Sequence, residues 1–173
     1  MATYFSTNYA AEAANQVILN PRVRTAAGFA GGRMRYKHMY ILADQVFAIT
    51  EVIRMGTFKS NDRIYDLLIS CDDQGTAGDF DIGLYLVGSA HDGAIVDDNL
   101  FCDALDVNAA ALSRTDAFTE AGLDDHDRGK ALWELLGLSA DPGVEYDLTI
   151  TAVEATTNAT GQVTLEAYYN SGD

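Results

Sequence analysis

Between Asp72 and Asp81 (DDQGTAGDFD) the chain gathers four carboxylates and one side-chain amide, the hard oxygen ligands that calcium prefers. The spacing does not carry that chemistry further. An EF-hand loop alternates its ligands about a glycine at the sixth position, and here Gly75 stands fourth. The expectation is an exposed acidic turn rather than a metal site. Asp125-His126-Asp127 offers a second cluster, but adjacent side chains project in different directions and rarely converge on one ion. Asp127 is better placed to cap the helix expected after it. His38 and His91 lack the HExxH or HxxxH partners of a zinc site. No G-x-S-x-G elbow is present to expose a nucleophilic serine. Gly122–Lys130 departs from a phosphate loop, with six residues between its glycines and Ala131 where a magnesium-binding hydroxyl belongs. Asn158-Ala159-Thr160 matches a glycosylation sequon and is read as a polar loop. The chain is therefore expected to be no enzyme, with no catalytic residue, metal or cofactor.

The acidic loop joins two stretches of strict alternation. In Ile64–Cys71 the residues Tyr65, Leu67, Ile69 and Cys71 share a face; in Phe80–Val87 so do Phe80, Ile82, Leu84 and Leu86, with Asp81, Gly83 and Tyr85 opposite. A period of two marks half-buried strands, because successive side chains point to opposite faces. Tyr146–Val153 alternates Tyr146, Leu148, Ile150 and Ala152 inward with Asp147, Thr149 and Thr151 outward, and Gln162–Tyr169 repeats the pattern. Val46–Met55 is apolar on both faces, which predicts a central strand followed by a turn over 56–62. Short helices are predicted over Leu105–Leu112 and Arg128–Leu136, the second closed by Gly137. Strands and turns with one or two helical insertions predict a mainly β protein, an antiparallel β-sandwich or jelly roll.

At 173 residues the chain is long enough for one domain that buries about two-thirds of its unfolded surface. Two regions are expected, an N-terminal arm over 1–38, hinged by AAGFAGG at 26–32, and a β-sandwich body over 39–173. Residues 1–63 carry eight Lys/Arg against four Asp/Glu, net +4; residues 64–173 carry three against 22, net −19. So acidic a body argues against nucleic acid, whose phosphates need a positive surface. No apolar run reaches the ~20 residues of a membrane span, and the first residues lack the basic and apolar regions of a signal peptide. The basic run Arg22, Arg24, Arg33, Arg35 and Lys37 either meets an acidic protein surface, a neighbouring copy among the options, or is simply solvated. Cys71 and Cys102 form no CxxC pair and read as two buried free thiols.

The run from Phe58 to Val87 contains Asp62-Arg63-Ile64 opening a strand, Asp-Asp-x-Gly-Thr at 72–76, and Asp81-Ile82-Gly83-Leu84-Tyr85. It resembles structural proteins of tailed bacteriophages, in particular head decoration or cement proteins of jelly-roll type; the closing strand Gly161–Tyr169 is similar in character. The resemblance implies a non-enzymatic virion protein on the capsid exterior, made in the host cytoplasm. It would be a homotrimer bridging subunits of the major capsid protein, with no nucleic-acid or membrane partner. An N-terminal arm commonly makes the longest contacts in such proteins. Carried onto this chain, that implies charge-based docking by Arg22, Arg24, Arg33, Arg35 and Lys37 and apolar anchoring by Tyr4, Phe5 and Phe29. Two alternatives stand beside this reading. One is a carbohydrate-binding jelly-roll module that stacks sugars on Tyr85 and Tyr168. The other is a tail or head–tail component.

Overall fold

In the computed structural model the described residues are 33–43, 46–108, 110–158 and 161–172. Eight strands account for most of them: β1 (Met34–Ala43), β2 (Val52–Lys59), β3 (Arg63–Cys71), β4 (Asp79–Leu86), β5 (Ile95–Asp106), β6 (Leu112–Asp116), β7 (Glu145–Glu154) and β8 (Gly161–Asn170). They form two four-stranded antiparallel sheets, ordered β1-β8-β3-β6 and β2-β7-β4-β5. Each sheet takes strands from both halves of the chain, which is the strand order of a jelly roll.

The alternating strands pack as their periodicity predicts. Leu67 and Ile69 of β3 and Val163 and Leu165 of β8 face Phe80, Ile82 and Leu84 of β4 and Leu148 and Ile150 of β7, all at 0% exposure. Each such side chain contributes roughly 1.5–3 kcal/mol by leaving water. In β3 the inward set begins at Ile64, not Tyr65, because a bulge between Ile64 and Asp66 shifts the register by one residue. Tyr65 is thereby turned toward Gly129 and Asn170.

Several sequence expectations are corrected. Val46–Met55 is not one strand: β2 starts at Val52 and runs through Lys59, across the expected turn, because its pairing with β7 continues past a bulge at Arg54/Gly56. Leu105–Leu112 is not a helix; Leu105 and Asp106 close β5 and Leu112 begins β6. Within Arg128–Leu136 only Leu132–Leu135 is helical (α1), preceded by a 3-10 turn at Asp125–Asp127 and closed by Gly137 at φ +69°. Asp127 does not cap α1. Its carboxylate accepts from Asp124 N at 2.9 Å inside the 3-10 turn, while Glu134 Oε2 accepts from Ala131 N at 2.7 Å. The body also starts earlier than residue 39: β1 pairs along β8 from Met34, so residues 34–38 belong to the sandwich.

β7 is buried on both faces, polar residues included. Asp147, Thr149 and Thr151 lie beneath a cover that includes Tyr85 and Arg54, with Tyr85 Oη 3.3 Å from Thr151 Oγ1 and the Arg54 guanidinium 4.6 Å from the Tyr85 ring centroid. Tyr85 is thus only 4% exposed rather than outward and free, and it is Leu86 that reaches solvent. In β5 a register irregularity brings Asp97 and Asp98 over β4, where a Cβ on Gly83 would stand 2.1 Å from the Asp97 carbonyl oxygen.

Cys71 and Cys102 are both free and buried, as expected from their lack of a CxxC partner, with Cys71 also on the apolar face of its strand. Burial pushes both thiols up, that of Cys102 to about 12. At pH 8 roughly one Cys102 in ten thousand is a thiolate, and the thiolate is the form that reacts. The native protein is therefore expected to resist iodoacetamide at pH 8, whereas in urea both cysteines alkylate, as read by mass shift. Fast native labelling at Cys102 would contradict the buried position.

Candidate functional site

The five even-numbered residues of β1 from Met34 to Leu42 alternate with inward ones and face outward. Met34 and Tyr36 are each 52% exposed, Tyr40 is 60% and Leu42 is 65%, with His38 exposed between them. β8 continues the surface through Tyr168, which lies opposite Tyr36 in the register. Their ring centroids are 5.1 Å apart; Tyr36 to His38 is 6.3 Å and His38 to Tyr40 is 5.7 Å. Arg114 of β6 pairs with Glu166 and donates to Tyr168 Oη at 3.4 Å, fixing the polar margin of this aromatic row. Burial and the Glu166 carboxylate raise the Tyr36 phenol above its usual range, so it remains a neutral donor. Exposed apolar groups gathered on one face mark a binding surface more often than an accident of packing.

Of the eight interface residues carried over from the resemblance, Tyr4, Phe5, Arg22, Arg24 and Phe29 lie outside the described residues. Arg33 and Arg35 are exposed at the start of β1. Lys37 is turned inward. Its ammonium donates to Thr57 O at 2.5 Å and lies 4.2 Å from the Phe58 ring centroid, joining β1 to β2. Burial lowers its amine below the ordinary lysine range, opposed by Asp62 and Glu145. It serves as an internal strut rather than a docking charge. The alternating bulky residues of β1 were a readable signal, masked by placing an arm boundary in the middle of the strand.

A cleft of about 470 Å³ opens beside this strut, lined by Arg35, Lys59, Asp62, His91, Glu145 and Tyr169 among others. Behind it Asp147, with its side chain 1% exposed, gathers Thr57 Oγ1 at 2.8 Å, His91 Nδ1 at 2.9 Å and Arg54 Nη1 at 3.3 Å. A histidine held by a buried carboxylate is half of a nucleophilic triad. The other half is missing among the described residues: the Thr57 hydroxyl donates to Asp147, and no hydroxyl or thiol bonds the imidazole. The arrangement instead ties the 87–93 loop to the sheet, with Arg54 also donating to Leu86 O at 3.1 Å and Gly93 O at 2.9 Å.

Asp124, His126 and Asp127 bring ligand atoms within 4.8 Å of one another, whereas Asp125 of the sequence triplet is not in the group and accepts from Arg128 Nε at 2.9 Å. The Lys130 ammonium, 2.6 Å from Asp127 Oδ1, already supplies a cation there. The Asp124 amide and Lys130 together hold the Asp127 carboxyl below the usual range. In the 72–81 loop the carboxylates serve the backbone: Asp73 accepts from Gly75 N at 2.7 Å, Asp72 from Gln162 N at 2.8 Å, and Asp81 from Ala104 N at 2.7 Å.

No family model matches the chain, and no curated protein matches it. Solved structures do. A chain of the Cyanophage Pam1 capsid asymmetric unit is 11% identical with a TM-score of 0.50, the match covering 90% of this chain and 98% of that one. A chain of the capsid of Ralstonia phage GP4 is 17% identical with a TM-score of 0.53, covering 92% and 95% respectively. At these identities the likeness is one of fold, and it extends over nearly the whole of each chain.

Proposed function

We propose that this protein is a non-enzymatic virion component that decorates the outside of a phage capsid and stabilises it by bridging major capsid protein subunits, as a trimer. The observation that carries the reading is the near end-to-end likeness in fold to chains of two phage capsids. The exposed row of Tyr36, His38, Tyr40 and Tyr168 supports it as an apolar contact face. The acidic body supports a protein partner over a nucleic acid. The docking contacts proposed on the resemblance include Tyr4, Phe5, Arg22, Arg24 and Phe29, which precede β1 in sequence. The mechanism is mass action: a ligand that binds only the assembled lattice stabilises it, by about 2.7 kcal/mol per site at a hundred times its Kd.

The test is quantitative mass spectrometry of purified particles. A copy number equal to the major capsid protein, or a simple fraction of it, is expected. A dozen or fewer copies would move the protein to the tail or head–tail region, and absence would sink the virion reading. The sugar-binding alternative loses Tyr85 to burial but keeps Tyr168 within a row of four rings. Hits on a glycan array would favour it.

A further inference from the structure

We infer that copies of this chain associate head to tail, the cationic β1 edge of one copy lying against the acidic β5 edge of the next. β1 is the outermost strand of one sheet, hydrogen-bonded on one side only among the described residues, and β5 is the outermost strand of the other, where Phe101 O also accepts from Ala121 N at 3.2 Å. An edge strand of 10 residues such as β1 is a template for association unless something covers it. The two edges carry opposite charge. Arg33 and Arg35 are the exposed charged residues from 33 to 43, Lys37 being turned inward, while β5 holds Asp97, Asp98, Asp103 and Asp106 and no cation. Each edge also exposes apolar side chains, Leu42 and Tyr40 on β1 and Ile95, 58% exposed, on β5.

Position decides the symmetry. Lys37 ties β1 to β2, and the order β2-β7-β4-β5 then puts β5 at the opposite side of the sandwich from β1. A contact between two different surfaces is heterologous, so repeating it closes a ring or continues as a filament. The acidic side is also crowded with like charge. Burial, followed by Asp103, Asp98 and Asp79, raises the Asp81 carboxyl above its usual range, and a cationic edge set against it relieves that repulsion. The inference deepens the decoration reading by naming the surfaces on which its trimer closes. It rests on that reading only for the number of copies, and its test needs no capsid.

The test is native mass spectrometry and sedimentation velocity on the full chain, with circular dichroism to confirm folding. The unmodified chain should associate, and the association should weaken as salt rises from about 0.05 M to about 0.5 M. The variants R33E/R35E and D98K/D103K each place like charges across the contact and should each weaken association at least tenfold, roughly. Mixed one to one, they should reassociate, and because the two must alternate, the mixture should form mixed dimers and other open or even-numbered species but no closed trimer. A monomeric unmodified chain, a salt-insensitive oligomer, or wild-type association of D98K/D103K alone would each overturn the inference. So would folded variants that form no mixed dimer when combined. If the ring stands and particles lack the protein, the decoration reading fails by itself.

Discussion

Asp147→Ala is expected to destabilise the protein by about 3 kcal/mol, read as a lower urea midpoint with an unchanged slope. The Asp147 side chain is 1% exposed and accepts from Thr57, His91 and Arg54. Removing one partner of a buried ion pair costs about 3–5 kcal/mol, because the remaining charge stays out of water without compensation. Arg54 is 21% exposed and keeps its carbonyl acceptors at Leu86 and Gly93, which places the cost at the lower end of that range. The cause is tested by adding Arg54→Met: R54M/D147A should regain at least half of the loss. A single-variant loss below about 1 kcal/mol would show that the cluster is no more than a solvated surface contact.

Phe58→Ala should cost about 3–5 kcal/mol. Its ring is 1% exposed, meets Tyr169 edge-on at 5.1 Å, and carries the Lys37 ammonium over its face at 4.2 Å. Truncation leaves a cavity between β1, β2 and β8 and strips the half-buried ammonium of its nearer aromatic partner, leaving Tyr169 at 5.8 Å. Phe58→Leu keeps most of the volume and is expected to cost about 1 kcal/mol. Equal losses in the two variants would mean that the lost volume does not set the cost.

The β class was legible because β4, β7 and β8, and β3 beyond its bulge, carry a period-two pattern in sequence, and a buried face pins the register. The centre of β7 was misread in part. Asp147 and Thr149 look like solvent-facing residues, and only the placement of Tyr85 and Arg54, distant in sequence, buries them. β5 and β6 were missed for a related reason. Irregular pairing with β4, and a residue as helix-compatible as Ala104 standing at φ +52°, break the alternation that a strand shows in one dimension. The aromatic face was hidden by the supposed arm, since β1 reads as a strand only if its ten residues are taken together. His91 and Asp147 stand 56 positions apart, and no local pattern joins them.

β8 lies between β1 and β3, yet its residues 161–170 are made after those of the other seven described strands. During synthesis, β1 must therefore wait, without that partner and displaying Tyr36, Tyr40 and Leu42, until residues 161–170 have left the ribosome. Closing that gap joins residues more than a hundred positions apart, such as Met34 and Asn170, so the sheet forms late and all at once. A nascent chain interrupted before residue 161 has no β8 to shelter its most adhesive strand, and termination just short of that residue should yield aggregates in place of a shortened fold.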